Sequence, residues 1–339
     1  MAADRRARTK AVRRKGGFAL PTVLAIMLVV SLTFATCILA LKGLRDETRQ
    51  TVASIEFERA AMSAEARLAF LISTEPLGPE GLRIGANRLA QNQRGAAALL
   101  EQQIATLELL RFDDRQYRWL ETGDETIDAP YLVQVQDEAG LVNLYQADPV
   151  MLGRLFQLAG LDEDQAELLA TELTEFNALP PPSQPIRRLS ELYRLSSARE
   201  LLSDKAYRTL LSLSAVHPDS RSVNINTAPP DVLKVWFDLT DDQAAKALDD
   251  RDAAPLGSPA DIGVPVIDNS INYAFPGGRV RFTMTDPRTG QVYRSTLVMT
   301  PTSPLRPVWT ENSRIQRQPP PPEPVDELED FPEVPDSPA

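Results

Sequence analysis

The sequence predicts an α+β protein: a long N-terminal helix, an antiparallel sheet that its second half packs against, and a large all-helical insertion within that sheet. Three observations predict this. Residues 18–41 run for 24 positions without a charge. Segments of period-two alternation lie at 131–144 and 271–300, as half-buried strands require. The chain between them carries an internal repeat with helical spacing.

Taken in order, the start is basic. Of residues 1–17, seven are Lys or Arg and one is Asp. The whole chain of 339 residues has a net charge of −11, so everything after Gly17 carries −17. The uncharged run that follows is about 36 Å long as a helix at 1.5 Å per residue, against a hydrocarbon core of about 30 Å. It is long enough to span a bilayer and longer than the apolar region of a cleaved secretory signal. The positive-inside rule places residues 1–17 in the cytoplasm and the remaining chain outside.

After Leu41 the helical period continues with charges on one face: Leu44, Val52, Ile55, Met62 and Ala66 recur among acids and arginines. Glu75-Pro-Leu-Gly-Pro-Glu-Gly81 is dense in helix breakers and ends the element. A second helix is expected over Ala96–Leu110. A strand over Tyr131–Asp137 then turns at Glu138-Ala-Gly140 into Leu141–Leu144.

Val142–Leu158 aligns with Val223–Leu239 at an offset of 81, with seven identities in 17 positions. Each copy leads into an acidic helix start, Asp162-Glu-Asp-Gln-Ala and Asp241-Asp-Gln-Ala, with three extra residues in the first. Each unit resembles a helix-hairpin-helix module, in which Asn ends an extended segment and Ala-x-Pro enters a helix. Strands return over Ile271–Thr285 and Gln291–Thr300, joined by Asp286-Pro-Arg-Thr-Gly290. Eleven of the 28 prolines fall in the last 39 residues, and Gln318–Ala339 holds seven acids and no base, the composition of a disordered tail.

Composition excludes several classes. One Cys and one His cannot build a disulfide framework or a structural zinc site. His217, in Val216-His-Pro-Asp219, is expected in a solvated loop, and no Gly-x-Ser-x-Gly elbow or phosphate loop accompanies it, so no catalytic residue is assigned. The alternative reading of the repeats is a membrane-tethered, helix-hairpin-helix DNA-binding receptor. Phosphate-gripping hairpins need glycine-rich turns beside Lys or Arg. The second hairpin has Asp238-Leu-Thr-Asp-Asp242 instead, surrounded by acids, so nucleic acid is not expected as a partner.

The border Lys15-Gly16-Gly17-Phe18-Ala19-Leu20 resembles that of type IV pilins and of their type II secretion relatives, the pseudopilins. The resemblance implies cleavage by a prepilin peptidase between Gly17 and Phe18, followed by methylation of Phe18. Most such chains carry Glu at the fifth mature position, where this one has Thr22. That carboxylate is thought to pair with the amine of the subunit above, so its absence suits a subunit with none above it. The repeat and its signature Asn224-Ile-Asn-Thr-Ala-Pro229 sharpen the resemblance to the K-type minor pseudopilins, the general secretion pathway protein K family.

That resemblance implies a pilin-like domain interrupted by a helical insertion with two helix-hairpin-helix-like repeats. The expected segments are a leader at 1–17, the N-terminal helix at 18–75 with 18–41 transmembrane, a first pilin-like part at 76–144, the insertion at 145–268, closing strands at 269–300 and a Pro-rich acidic disordered tail at 301–339. It further implies a non-enzymatic tip subunit of the secretion pseudopilus, held in the inner membrane with its main domain in the periplasm. Its partners would be other minor pseudopilins, the prepilin peptidase, and secreted substrates or the outer-membrane secretin. Relatives bind calcium in the helical domain, and Asp162-Glu-Asp164 and Asp249-Asp-Arg-Asp252 offer hard oxygen ligands, although no spacing matches a calcium loop.

Overall fold

The computed structural model describes residues 19–86, 107–119, 130–179, 185–217, 223–266, 271, 273–300, 307–317 and 328–334. Two compact units divide the chain, Met1–Glu56 and Phe57–Ala339.

The described part of the first unit is helical, the beginning of α1 (Ala19–Thr74). Its large apolar side chains from Leu20 to Leu41 are exposed. Hydroxyls inside the run bond back to their own helix, Thr33 Oγ1 to the Val29 carbonyl and Thr36 Oγ1 to that of Thr33, both at 2.8 Å. No backbone partner outside the helix is then needed in an apolar medium. Among the described residues α1 is the one helix long and apolar enough to cross a membrane.

In the second unit α1 changes character. Phe57, Ala60, Ala61, Ala64, Leu68 and Leu71 are buried, a stripe at intervals of three and four. Three alanines let the helix lie close to the sheet, and the larger side chains contribute about 1.5–3 kcal/mol each by leaving water. Glu65 adds a polar tie, its carboxylate accepting the Tyr293 hydroxyl at 2.8 Å.

A short ladder follows, β1 (Gly81–Arg83) antiparallel to β2 (Leu109–Arg111). The expected helix over Ala96–Leu110 is corrected at its end, where Leu109 and Leu110 are strand. Residues 96–106 lie outside the described residues. Gly81 is required here: its φ is +150°, and a Cβ would stand 2.0 Å from the Leu110 carbonyl oxygen.

The main sheet has six strands: β3 (Asp113–Trp119), β4 (Tyr131–Asp137), β7 (Arg279–Asp286), β8 (Gln291–Met299), β9 (Val308–Arg317) and β10 (Glu329–Asp330), in the order β10-β3-β4-β7-β8-β9. All neighbours are antiparallel except β10 and β3. The fold is therefore α+β, with a long apolar helix and a mostly antiparallel sheet. The Asp286–Gly290 turn joins β7 to β8 as expected, with Gly290 at φ +68°. Strand β7 begins at Arg279, later than the expected Ile271.

Tertiary pairing decides two segments. The segment 141–144 does not return along β4. It contributes β5 (Val142–Asn143), parallel to β6 (Ser214–Ala215), because a 3-10 turn at Glu138–Gly140 leads the chain away. The expected disordered tail also contains structure. Residues 308–317 extend the sheet as β9, and 329–330 pair with β3. Phe331 is buried against Tyr117 and Trp119, with ring centroids 6.2 and 5.6 Å away. One aromatic side chain with a cavity to fill overrides an otherwise acidic, proline-rich composition.

Between β5 and β7 the described residues form six α-helices: α2 (Pro149–Leu158), α3 (Glu163–Asn177), α4 (Ser196–Leu201), α5 (Asp204–Leu213), α6 (Pro230–Phe237) and α7 (Asp241–Ala253). They share one apolar core, separate from that between α1 and the sheet. Strand β4 is buried at six of its seven positions, so its alternation marks two covered faces rather than one wet face.

Candidate functional site

The internal repeat leads to the most highly organised polar region of the molecule. In both copies Asn closes the extended segment with the same turn. The Asn143 Oδ1 accepts the backbone N–H of Tyr145, and the Asn224 Oδ1 accepts that of Asn226, each at 3.1 Å. In both, the next residue donates its N–H to a distant extended segment: Leu144 to the Ala215 carbonyl at 2.9 Å, Ile225 to that of Tyr273 at 3.1 Å. An Asn side chain suits this because one oxygen replaces a backbone acceptor while its amide remains free to reach elsewhere.

The helical hairpins repeat as well. Pro149 and Pro230 each enter the first helix, where a missing N–H costs nothing. Gly160 and Asp238, at φ +101° and +56°, supply the left-handed turns. Asp162 with Gln165, and Thr240 with Gln243, close reciprocal capping boxes on α3 and α7. Arg154 of α2 clasps the second hairpin, reaching the Asp238 carboxylate at 2.9 Å and the Val235 carbonyl at 3.3 Å.

What differs is where the Asn amide goes. Asn143 Nδ2 donates to the His217 carbonyl at 2.9 Å, and the His217 N–H returns to Asn143 Oδ1 at 3.4 Å. Asn224 is 0% exposed, and its Nδ2 donates to the Asp137 carboxylate at 2.9 Å and to the Pro79 carbonyl at 3.0 Å. Asp137, also 0% exposed, ends β4. Its carboxylate accepts four groups: Asn224 Nδ2, the Thr227 hydroxyl at 3.1 Å, and the N–H groups of Ala139 and Gly277 at 3.0 Å each. Burial pushes this carboxyl up to about 6, with the four bonds opposing the rise.

Neighbouring bonds extend the hub. Gln136 Nε2 donates to the Thr227 carbonyl at 3.0 Å, and Asn226 holds Leu256 through both its N–H and its carbonyl, at 2.7 and 2.9 Å. Gly140 is packed so closely that a Cβ would stand 2.6 Å from Thr227 Oγ1 and 2.8 Å from Gln136 Nε2. Arginines strap the same boundary. Arg251 donates to the Ala228 carbonyl at 2.6 Å, Arg111 pairs with Asp252 at 2.7 Å, and Arg281 donates to the carbonyls of Leu211 and Ser214 at 2.7 and 2.8 Å.

The signature Asn224–Pro229 is thus the buried joint between the sheet and the second repeat. Sequence reasoning picked out Asn224 through the repeat and Thr227 within the signature Asn224–Pro229, but missed Asp137, Gln136, Arg251 and Arg281, whose tertiary partners lie 23 to 140 positions away with no local pattern to mark them. Of the processing and assembly residues, Gly17 and Phe18 lie outside the described residues, and Thr22 stands exposed in the first turn of α1.

His217 is not solvated as expected. It is 5% exposed, because its backbone is bound by Asn143 beside the β5–β6 pair. Of the acids considered for calcium, Asp162 caps α3 and Asp252 pairs with Arg111. Among the described residues no three His, Cys, Asp or Glu side chains converge as metal ligands.

The family model described as "Type II secretion system (T2SS), protein K" matches residues 223–268, which begin at the Asn224 joint and include α6 and α7. Among curated proteins none matches the chain.

Proposed function

We propose that the chain, whose residues 223–268 match the type II secretion system protein K family model, is a protein of that family and the minor pseudopilin at the tip of the secretion pseudopilus. The match supports a part in type II secretion and, in general terms, partnership with other components of that machinery. The apolar start of α1 fits a single membrane span.

The observation that carries the tip reading is Thr22 in the first turn of an otherwise pilin-like apolar helix. A carboxylate there would require a cationic partner once removed from water, and an isolated charge in an apolar medium is costly. A subunit without that carboxylate makes no demand on a neighbour above it. On this reading prepilin peptidase acts at Gly17 and Phe18, and α1 moves from the inner membrane into the packed centre of the filament. The periplasmic domain then ends the stack and meets other minor pseudopilins, secreted substrates or the secretin. The role is one of shape and packing, and the Asp137–Asn224 joint keeps the helical insertion rigidly attached to the sheet.

Immunogold labelling of pseudopili, elongated by overproduction of their major subunit, tests the position. Gold at a single filament end is expected. Gold distributed along the shaft would overturn the tip assignment while leaving the secretion role intact. The DNA-receptor alternative is disfavoured by Asp238 at the turn of the second hairpin, whose carboxylate stands where a phosphate-binding loop presents amides.

A further inference from the structure

A chain with net charge −11 would be expected to line its clefts with acids. One cleft does the opposite. Between the helical insertion and strands β7, β8 and β9 lies a cavity of about 450 Å³ lined by Arg187, Arg188, Arg281, Arg294 and Arg314, with Glu138 the acid among them. Glu138 is already engaged: Arg279 reaches it at 3.2 Å, Arg281 at 3.8 Å and the Thr296 hydroxyl at 3.2 Å. Nearby Glu191 accepts the backbone N–H of Arg187 and pairs with Arg194 at 3.5 Å. Asp114 faces Arg281 and Arg294 from β3 and offsets part of their charge.

Among the described residues, these five guanidinium groups share few carboxylates, Glu138 and Asp114. Arg294 feels this most. Its Nη1 is buried without a hydrogen-bond partner, and its Nε has only a 3.4 Å contact to Thr283 Oγ1. Desolvation, with the charges of Arg281 and Arg314 beside it, pushes its pKa down to about 10. Unpaired buried cations are expensive, and planar forked donors are the side chains best matched to the two oxygens of a carboxylate.

We propose that this cavity is a carboxylate-binding site, occupied by a small polycarboxylate or by the acidic side chains of a protein segment. The two sources share one chemistry: paired oxyanions entering from the solvent side, where Arg187 and Arg188 are exposed, and neutralising Arg281 and Arg294 beneath. Binding then tightens the contact between the insertion and the sheet, since Arg281 spans both. The inference is independent of the tip assignment and is tested on the isolated chain.

Isothermal titration of the purified full chain in neutral detergent, with citrate and separately with a hexaglutamate peptide, provides the test. Saturable binding that weakens with salt is expected for at least one probe, with a rise of several degrees in Tm on saturation. Binding of citrate alone identifies a free small molecule as the source. Binding of the peptide alone, or of both with the peptide tighter, identifies a protein segment. The combined variant Arg187→Gln, Arg188→Gln and Arg314→Gln removes exposed or half-buried cations and should weaken binding about tenfold or more. Arg294→Met separates the site from a structural role: the ligand-free Tm should hold or rise, because a buried charge is removed, while the ligand-induced shift is lost. No binding by either probe, undiminished affinity in the triple variant, or a large fall in ligand-free Tm for Arg294→Met would each overturn the proposal.

Discussion

Replacing Asn224 by Ala while making the same change at Asn143 uses the duplication as its own control. Both substitutions delete an Asn that closes the same turn, so helix propensity and turn chemistry cancel in the comparison. At Asn224 the loss is three hydrogen bonds in a fully buried site. The Pro79 carbonyl and the Asn226 N–H lose partners, and Asp137 loses one of its four donors. Each buried group left unsatisfied costs about 1–3 kcal/mol, so the Pro79 carbonyl and the Asn226 N–H together cost about 2–6 kcal/mol. At Asn143, which is half-buried, water can replace the lost partners and one of the three bonds is already 3.4 Å long, so about 1–2 kcal/mol is expected. Urea unfolding of the detergent-solubilised chain, followed by tryptophan fluorescence, measures both, with Trp119 and Trp236 reporting from the two cores. An Asn224→Ala variant no less stable than Asn143→Ala would refute the assignment of the signature as the joint.

Further outcomes follow from the same contacts. Because Asp137 titrates near 6 in the folded chain and near 3.8 unfolded, its ionisation is disfavoured by folding. Its contribution is therefore most favourable below the unfolded value and is lost as pH rises through about 6. Asp137→Ala should consequently cost about 1 kcal/mol more at pH 5 than at pH 7, measured by urea unfolding at both. A constant difference would show that its folded pKa is not raised. Gly140→Ala drives a methyl into Thr227 and Gln136 and should lower stability by about 1–3 kcal/mol in the same assay, although its backbone angles suit alanine. Phe331→Ala removes the ring from Tyr117 and Trp119, so limited proteolysis should cut the chain near 328–334 much sooner than in the parent, with a lower Tm. Intact mass of the chain from membranes of cells carrying the secretion system should show loss of residues 1–17 and one added methyl group at Phe18. A full-length mass would mean a permanent anchor.

Much of this protein follows from local pattern. The uncharged run at 18–41 dictates a span-length helix because nothing in it pays for contact with water, and breakers at 75–81 dictate where that helix stops. Periodicity located β4, β7 and β8, and the seven identities of the repeat located both Asn turns and both helix entries. These features depend on neighbours within a few residues, or on self-similarity visible along the chain.

What only the tertiary structure decided depends on partners brought together by folding. Composition marked 301–339 as disordered, yet β9 finds an open edge on β8 and Phe331 finds a cavity beside Trp119. Alternation marked a turn at 138–140 and a segment at 141–144 beyond it, but not that segment's partner, which is β6. His217 looked solvated because its neighbours are Pro and Asp, but Asn143 binds its backbone from 74 positions away. Asp137 looked like the end of a strand and became the centre of the joint. A carboxylate at a strand end is ordinarily free to meet water; here four donors from three separate segments close over it, and no single segment carries the pattern that would announce their meeting.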